Sequence, residues 1–208
     1  MVAEWKDRRE MIGDIKFSPD GRWLAVASND NLVDCYSVAD AYVRVGCCGG
    51  SSSFITHIDW SDDSQFIQTN SGAYERLFFE MPRGTRVVPR DLPEGLRWAT
   101  WTGVLGRPVA GIYPKYSDGT DVNATARSHS GTRLAIADDF GFVRLGAWPM
   151  DTRNAPSDKF VGHSSHVTSV RWTADDAWLI SAGGMDKYVG IVAGDEWCLE
   201  RKGVLMST

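Results

Sequence analysis

Nowhere does the chain hold the run of about 18 apolar residues that a helix needs to cross a bilayer, so no helical membrane span is expected. Cysteine is scarce and poorly spaced for metal. Of Cys35, Cys47, Cys48 and Cys198, no two form the CxxC pair of a zinc site. The four histidines are His57, His129, His163 and His166, and His163-x-x-His166 finds no further ligand at metal spacing. No metal and no cofactor is therefore expected. The start, Met1-Val2-Ala3-Glu4-Trp5-Lys6-Asp7, is charged and lacks the apolar core of a secretory signal. Reduced thiols and a cytosolic location follow as expectations, with the sequon Asn123-Ala124-Thr125 left unmodified. A surplus of positive charge is also missing. The formal charge of -5 argues against bulk attraction to nucleic acid or to an anionic membrane.

What the 208 residues do have is tryptophan and glycine, nine and 21 of them, a mixture that suits short strands and tight turns. Four segments align. They are Ser18-Pro-Asp-Gly-Arg-Trp-Leu-Ala-Val-Ala-Ser, Ser61-Asp-Asp-Ser-Gln-Phe-Ile-Gln-Thr-Asn-Ser, Ser128-His-Ser-Gly-Thr-Arg-Leu-Ala-Ile-Ala-Asp and Thr173-Ala-Asp-Asp-Ala-Trp-Leu-Ile-Ser-Ala-Gly. Each opens on Ser or Thr, passes a polar turn and enters an apolar run. Their starts lie 43, 67 and 45 residues apart, so two intervals match a propeller blade and the long one reads as a blade plus an insertion. Short strands precede each turn, a second and third follow, and a weaker fourth closes the unit, as in Tyr42-Val43-Arg44-Val45. No helical period of 3.6 intervenes. The sequence predicts an all-β, WD40-type β-propeller of about four blades. The blades are expected over roughly 9–48, 53–90, 120–160 and 161–203, with the insertion at roughly 82–116.

The last unit carries Gly162-His163 ahead of its first strand, Ser181 in its second and Asp186 in the turn before its third. In WD repeats such residues form a buried hydrogen-bonded network that ties the strands together. The third-strand Trp that usually completes the set is absent, since Gly190 and Ile191 stand there. Asp30 occupies the same turn position in the first unit, where no Gly-His precedes it. Ser, His and Asp are also the residues of a hydrolase triad. A nucleophilic serine, however, needs exposure and an oxyanion hole, and Ser181 has no GxSxG elbow. Asp139-Phe140-Gly141 matches the metal-binding tripeptide of kinases, but the glycine-rich loop, strand lysine and catalytic loop of that chemistry are missing. It reads as a turn. Gly49-Gly50-Ser51-Ser52-Ser53 reads as a loop between blades.

The insertion is the most informative exposed segment. It holds Arg83, Arg86, Arg90, Arg97, Arg107 and Lys115 against Asp91 and Glu94, a local +4 that leaves -9 for the rest. Arginine with Trp98, Trp101 and Tyr113 makes a typical interface composition. Two uses compete: the tryptophans pack on a blade edge, or the arginines meet an acidic partner.

The wider order of residues resembles a known family. Arg97-Trp-Ala-Thr-Trp-Thr-Gly-Val-Leu-Gly106, Pro108-Val-Ala-Gly-Ile-Tyr-Pro114, Ser117-Asp-Gly-Thr-Asp-Val-Asn123, Arg127-Ser-His-Ser130, Asp138-Asp-Phe-Gly141, Phe160-Val-Gly-His-Ser-Ser-His-Val-Thr168 and Ser181-Ala-Gly-Gly184 carry it. Together they resemble the echinoderm microtubule-associated-protein-like family of WD-repeat proteins, strongly over about Leu96 to Val192 and more generically over Met11 to Met81. Members of that family carry tandem propellers and bind tubulin or microtubules. The resemblance implies a non-enzymatic, cytoplasmic, cytoskeletal protein acting through WD-repeat surfaces, with tubulin and other proteins as partners and no nucleic acid or membrane. The alternative it leaves is a general WD-repeat scaffold for another protein complex. The family's amino-terminal coiled coil and the hydrophobic motif before its first propeller are not visible, and four blades are fewer than its propellers have. The chain is accordingly expected to be part of a larger propeller, because open strand edges invite aggregation.

Overall fold

A computed structural model describes residues 4–113, 118–119 and 121–193. It divides into two compact units, Met1–Leu105 and Gly106–Thr208. In the first, β1 (Ile12–Phe17), β2 (Trp23–Ser28), β3 (Val33–Ser37) and β4 (Val43–Cys48) form one antiparallel sheet in chain order. β5 (Ile55–Trp60), β6 (Phe66–Ser71), β7 (Arg76–Glu80) and β8 (Thr85–Val87) form the next. In the second unit β9 (Val122–Arg127), β10 (Arg133–Asp138), β11 (Phe142–Ala147) and β12 (Ser157–Val161) repeat the pattern. A three-stranded sheet of β13 (Val167–Trp172), β14 (Trp178–Gly183) and β15 (Val189–Ala193) follows. The chain is all-β, and its sheets are the four expected propeller blades. The expected end of the last blade, 194–203, lies outside the described residues. Among the described residues the helical content is two 3-10 turns, Pro89–Asp91 and Arg107–Val109.

Each aligned segment turns out to be the same hairpin. Its opening Ser or Thr hydroxyl accepts a hydrogen bond from the amide five residues on, at 3.0 Å for Ser18 and Trp23, 2.9 Å for Ser61 and Phe66, 3.0 Å for Ser128 and Arg133, and 3.0 Å for Thr173 and Trp178. The same hydroxyl donates to Asp20, Asp63 or Asp175 in three blades, and Ser130 stands at that place in the third. The next residue is left-handed in every case: Gly21, Ser64, Gly131 and Asp176. Asp, Ser and Gly tolerate these turn dihedrals and β-branched residues resist them. That is why the repeat reads so clearly in the sequence.

Within each unit the sheets meet face to face through the buried side of the alternating strands. Ala25, Ala27, Val33 and Cys35 of the first blade pack against Ile55, Ile58 and Trp60 of the second. Ala124, Ala126, Ala135 and Ala137 of the third pack with Val167, Val170 and Leu179 of the fourth. Alanines on one face let the sheets approach, and each large aliphatic side chain removed from water contributes about 2 kcal/mol. Tryptophan pins both seams. Trp60 Nε1–H donates to the Lys16 carbonyl at 3.1 Å, and Trp172 Nε1–H donates to the Ala126 carbonyl at 2.9 Å.

Candidate functional site: a buried triad, a buried carboxylate and an arginine edge

The fourth blade assembles the three residues expected there. His163 Nδ1 lies 2.9 Å from Asp186 Oδ2, and His163 Nε2 lies 2.9 Å from Ser181 Oγ. Asp186 also accepts from the amides of Tyr188 at 3.1 Å and Ser164 at 3.2 Å. The Tyr188 amide, His163 and the Ser164 amide hold its carboxyl below the usual range. An ionised Asp186 accepts from Nδ1–H, and Nε2 on the far side of the ring is bonded to the Ser181 hydroxyl. The His163 and Asp186 side chains are each 3 % exposed, and the Tyr188 ring meets the imidazole edge-on at 5.2 Å. Gly190, the register partner of Ser181, comes so close that a Cβ there would lie 2.7 Å from Ser181 Oγ. The absence of a side chain at 190 is what lets this network close.

The first blade meets the same need differently. Arg8 stands four residues before β1, as His163 stands four before β13. Its guanidinium makes a two-pronged pair with Asp34, both contacts at 2.6 Å. Asp34 is the register partner of Val26, the placement that Gly190 has opposite Ser181. Asp30 lies at the edge of this cluster, 3.5 Å from Arg8, with Oδ1 buried and lacking a hydrogen-bond partner among the described residues. The carboxylate that organises the first blade is thus Asp34. Its only mark in the sequence is a charged residue between Val33 and Cys35 of the third strand, which does not by itself name its partner.

The expected insertion begins later than Pro82, because β8 places Thr85–Val87 in the second blade. Arg83 falls in the β7–β8 turn and Arg86 on β8 itself. Arg90 follows in the first 3-10 turn, and Arg97 precedes a bridge between Trp98 and Ser61. Arg107 opens the second 3-10 turn, in the other unit. Lys115 lies outside the described residues. All five arginines are exposed, while Trp98 and Trp101 are buried against the second blade. Arg90 is 3.7 Å from Asp91 and Arg97 is 3.2 Å from Asp62. The indoles pack on the second blade, as one of the two uses foreseen requires, and the guanidiniums face solvent.

What holds that segment down is a residue the sequence did not single out. Asp59, in β5, is fully buried and accepts from the Thr100 hydroxyl at 2.6 Å and from the Thr102 amide and hydroxyl at 3.0 Å. Lys16 of β1 reaches the same carboxylate at 3.0 Å and also donates to the Ile58 carbonyl and the Thr102 hydroxyl. Burial pushes the Asp59 carboxyl up, but Lys16 and the threonine donors overcome this and hold it at about 2. Beside it Arg76 stacks between the rings of Phe78 at 4.7 Å and Trp101 at 5.0 Å, and burial lowers its guanidinium to about 10. In the sequence Asp59 reads as one more polar residue of an alternating strand, so nothing marks it as the anchor of a segment 40 residues on.

Among the described residues no three His, Cys, Asp or Glu side chains converge as metal ligands, and no helix is long and apolar enough to cross a membrane. Cys35, Cys47 and Cys48 are free thiols, and burial pushes Cys35 up to about 12.

Comparison with known proteins gives a consistent picture. A family model described as the second β-propeller of the echinoderm microtubule-associated protein matches residues 1–190. The 77 kDa echinoderm microtubule-associated protein of Strongylocentrotus purpuratus is 51% identical over 189 residues, covering 89% of this chain and 28% of that protein. Echinoderm microtubule-associated protein-like 2 of Rattus norvegicus is 47% identical over 192 residues, covering 91% of this chain and 30% of that protein. Echinoderm microtubule-associated protein-like 1 of Homo sapiens is 45% identical over 189 residues, covering 89% of this chain and 23% of that protein. The chain therefore spans less than a third of the length of these relatives.

Proposed function

Because this chain belongs to the echinoderm microtubule-associated protein family, within its second β-propeller, we propose that it binds tubulin or microtubules as a non-catalytic module of the cytoskeleton. The observation that carries this reading is 51% identity to a protein named for its association with microtubules. The exposed arginines Arg83, Arg86, Arg90, Arg97 and Arg107, on a chain of net charge -5, supply local positive charge for an acidic partner. Tubulin is such a partner, and the cytoplasm is where the two would meet. The His163–Ser181–Asp186 set supports a structural role, because it is buried and Ser181 faces Gly190 with no room for a substrate.

Co-sedimentation of the protein with polymerised tubulin at physiological salt tests the proposal. Saturable pelleting is expected. Protein left wholly in the supernatant, with one stable non-tubulin partner captured instead, would replace this reading with that of a general WD-repeat scaffold.

A further inference from the structure

The outer edge of the first two blades is built as a basic seam. The β7–β8 turn sits directly on β4: the Cys47 amide donates to the Arg83 carbonyl at 3.4 Å. Glycine makes this approach possible on both sides. A Cβ on Gly46 would collide with the Pro82 carbonyl, and one on Gly84 would lie 2.5 Å from the Cys47 carbonyl. Past the end of β4 the Arg86 guanidinium lies over Gly50, 3.3 Å from where its Cβ would be. Arg44, Arg83 and Arg86 are therefore held along one seam by backbone packing rather than by flexible loops. A cavity of about 470 Å³ opens beside it, lined by Arg8, Leu32, Arg44, Val45, Gly46 and Cys47.

The charges here are unbalanced. Asp34, itself 1 % exposed, is shared between Arg8 at 2.6 Å and Arg44 at 3.4 Å. Among the described residues Arg83 and Arg86 have no ion-pair partner, and both side chains face solvent. Interleaved with the arginines are Val43, Val45 and Val88, all large apolar side chains left exposed. A guanidinium recognises a carboxylate with two parallel donors. Apolar residues between such groups favour a partner that alternates carboxylates with aliphatic or backbone surface. Nucleic acid fits less well, because the seam offers valines where single-stranded recognition needs aromatic stacking platforms and the whole chain is acidic.

The geometry points to this seam as the docking site for an extended acidic peptide segment of a partner protein, gripped by Arg44, Arg83 and Arg86. The inference rests on the tubulin-binding reading only for the identity of the protein that carries the segment. The acidic remainder of the chain repels such a segment elsewhere, so binding is local and falls steeply with salt.

The test uses a fluorescent decaglutamate peptide, with decaglutamine and a single-stranded DNA decamer beside it, read by anisotropy at low and at physiological salt. The protein should bind decaglutamate, ignore decaglutamine and bind DNA at least tenfold more weakly. The variant Arg44→Glu/Arg83→Glu/Arg86→Glu should lose at least tenfold in affinity for decaglutamate. It should also gain binding to a decalysine peptide, a result that an unfolded variant cannot mimic if its circular dichroism is unchanged. Equal decaglutamate binding by parent and variant overturns the inference, as does DNA binding as tight as peptide binding. Co-sedimentation separates the two proposals. A parent that binds decaglutamate but does not pellet with tubulin upholds the seam and rejects the tubulin reading. A parent that pellets but ignores decaglutamate does the reverse.

Discussion

The Trp60 indole, in the second blade, donates its one hydrogen bond to the backbone carbonyl of Lys16 in the first, and the Trp172 indole repeats this to Ala126 between the third and fourth. In both cases the tryptophan is the last residue of its blade's first strand, and the carbonyl belongs to the penultimate residue of the preceding blade's first strand. The ring fills the space between sheets, and its buried N–H finds a backbone carbonyl of the neighbouring sheet as acceptor. Trp60→Phe removes the donor and part of the ring volume, at a cost of about 2 kcal/mol. Trp172→Phe, at a less buried site, should cost less. Urea midpoints of the two variants check the order, and a larger loss for Trp172→Phe would contradict it.

Blade one offers a sharper contrast. Asp34 pairs twice with Arg8 and is buried, whereas Asp30 makes only a 3.5 Å ion pair at the cluster's edge. Asp34→Ala removes the two-pronged partner of a half-buried guanidinium, leaving it only Asp30 at 3.5 Å, and should cost about 2 kcal/mol. Asp30→Ala should stay within about 0.5 kcal/mol. Equal losses for the two variants would show that the turn residue, not the strand residue, organises this blade.

Asp59 makes the acid limb of stability distinctive. Its carboxyl titrates at about 2 in the folded protein against an ordinary 3.8, so the folded state favours the ionised form. The resulting stabilisation is complete above about pH 4 and is lost as pH falls through about 2, and it amounts to about 2 kcal/mol. Asp59→Asn should cost about 2 kcal/mol at pH 7, because Lys16 keeps its charge with only Asp14, at 3.6 Å, left as counter-charge. The same variant should lose stability less steeply between pH 4 and pH 2 than the parent. Denaturant unfolding across that range measures the slope. An unchanged acid limb would mean that other carboxylates set it.

How much of this could be read in the chain depends on whether the responsible contacts are local. The hairpins were legible because Ser18, Asp20 and Gly21, and their counterparts, act within six residues of one another. His163, Ser181 and Asp186 were legible through a known pattern of residues, although their pairing spans strands. Asp34 was not, because its partner Arg8 replaces histidine with a longer side chain and moves the carboxylate from the turn into the strand. Asp59 was not, because its donors come from a segment 41 to 44 residues later and from a different blade. The split of the arginines between the β7–β8 hairpin and the two 3-10 turns was hidden for a related reason. A three-residue strand such as Thr85–Val87 carries too little alternation to announce itself beside prolines.

The fourth blade allows the closest test of fit between a missing side chain and a network. Gly190 faces Ser181 across the β14–β15 ladder, and a Cβ at 190 would lie 2.7 Å from Ser181 Oγ and 3.6 Å from His163 Nε2. Gly190→Ala must therefore displace the hydroxyl from the imidazole or push the strands apart, at a cost of about 2 kcal/mol. Ser181→Ala alone removes the hydroxyl and should cost about 1 kcal/mol. If the clash with that hydroxyl is the cause, the double variant should be more stable than the sum of the two losses by about 1 kcal/mol, since the oxygen in the way is gone. Strict additivity would place the penalty of Gly190→Ala in the backbone instead, and would detach Gly190 from the His163–Ser181–Asp186 network.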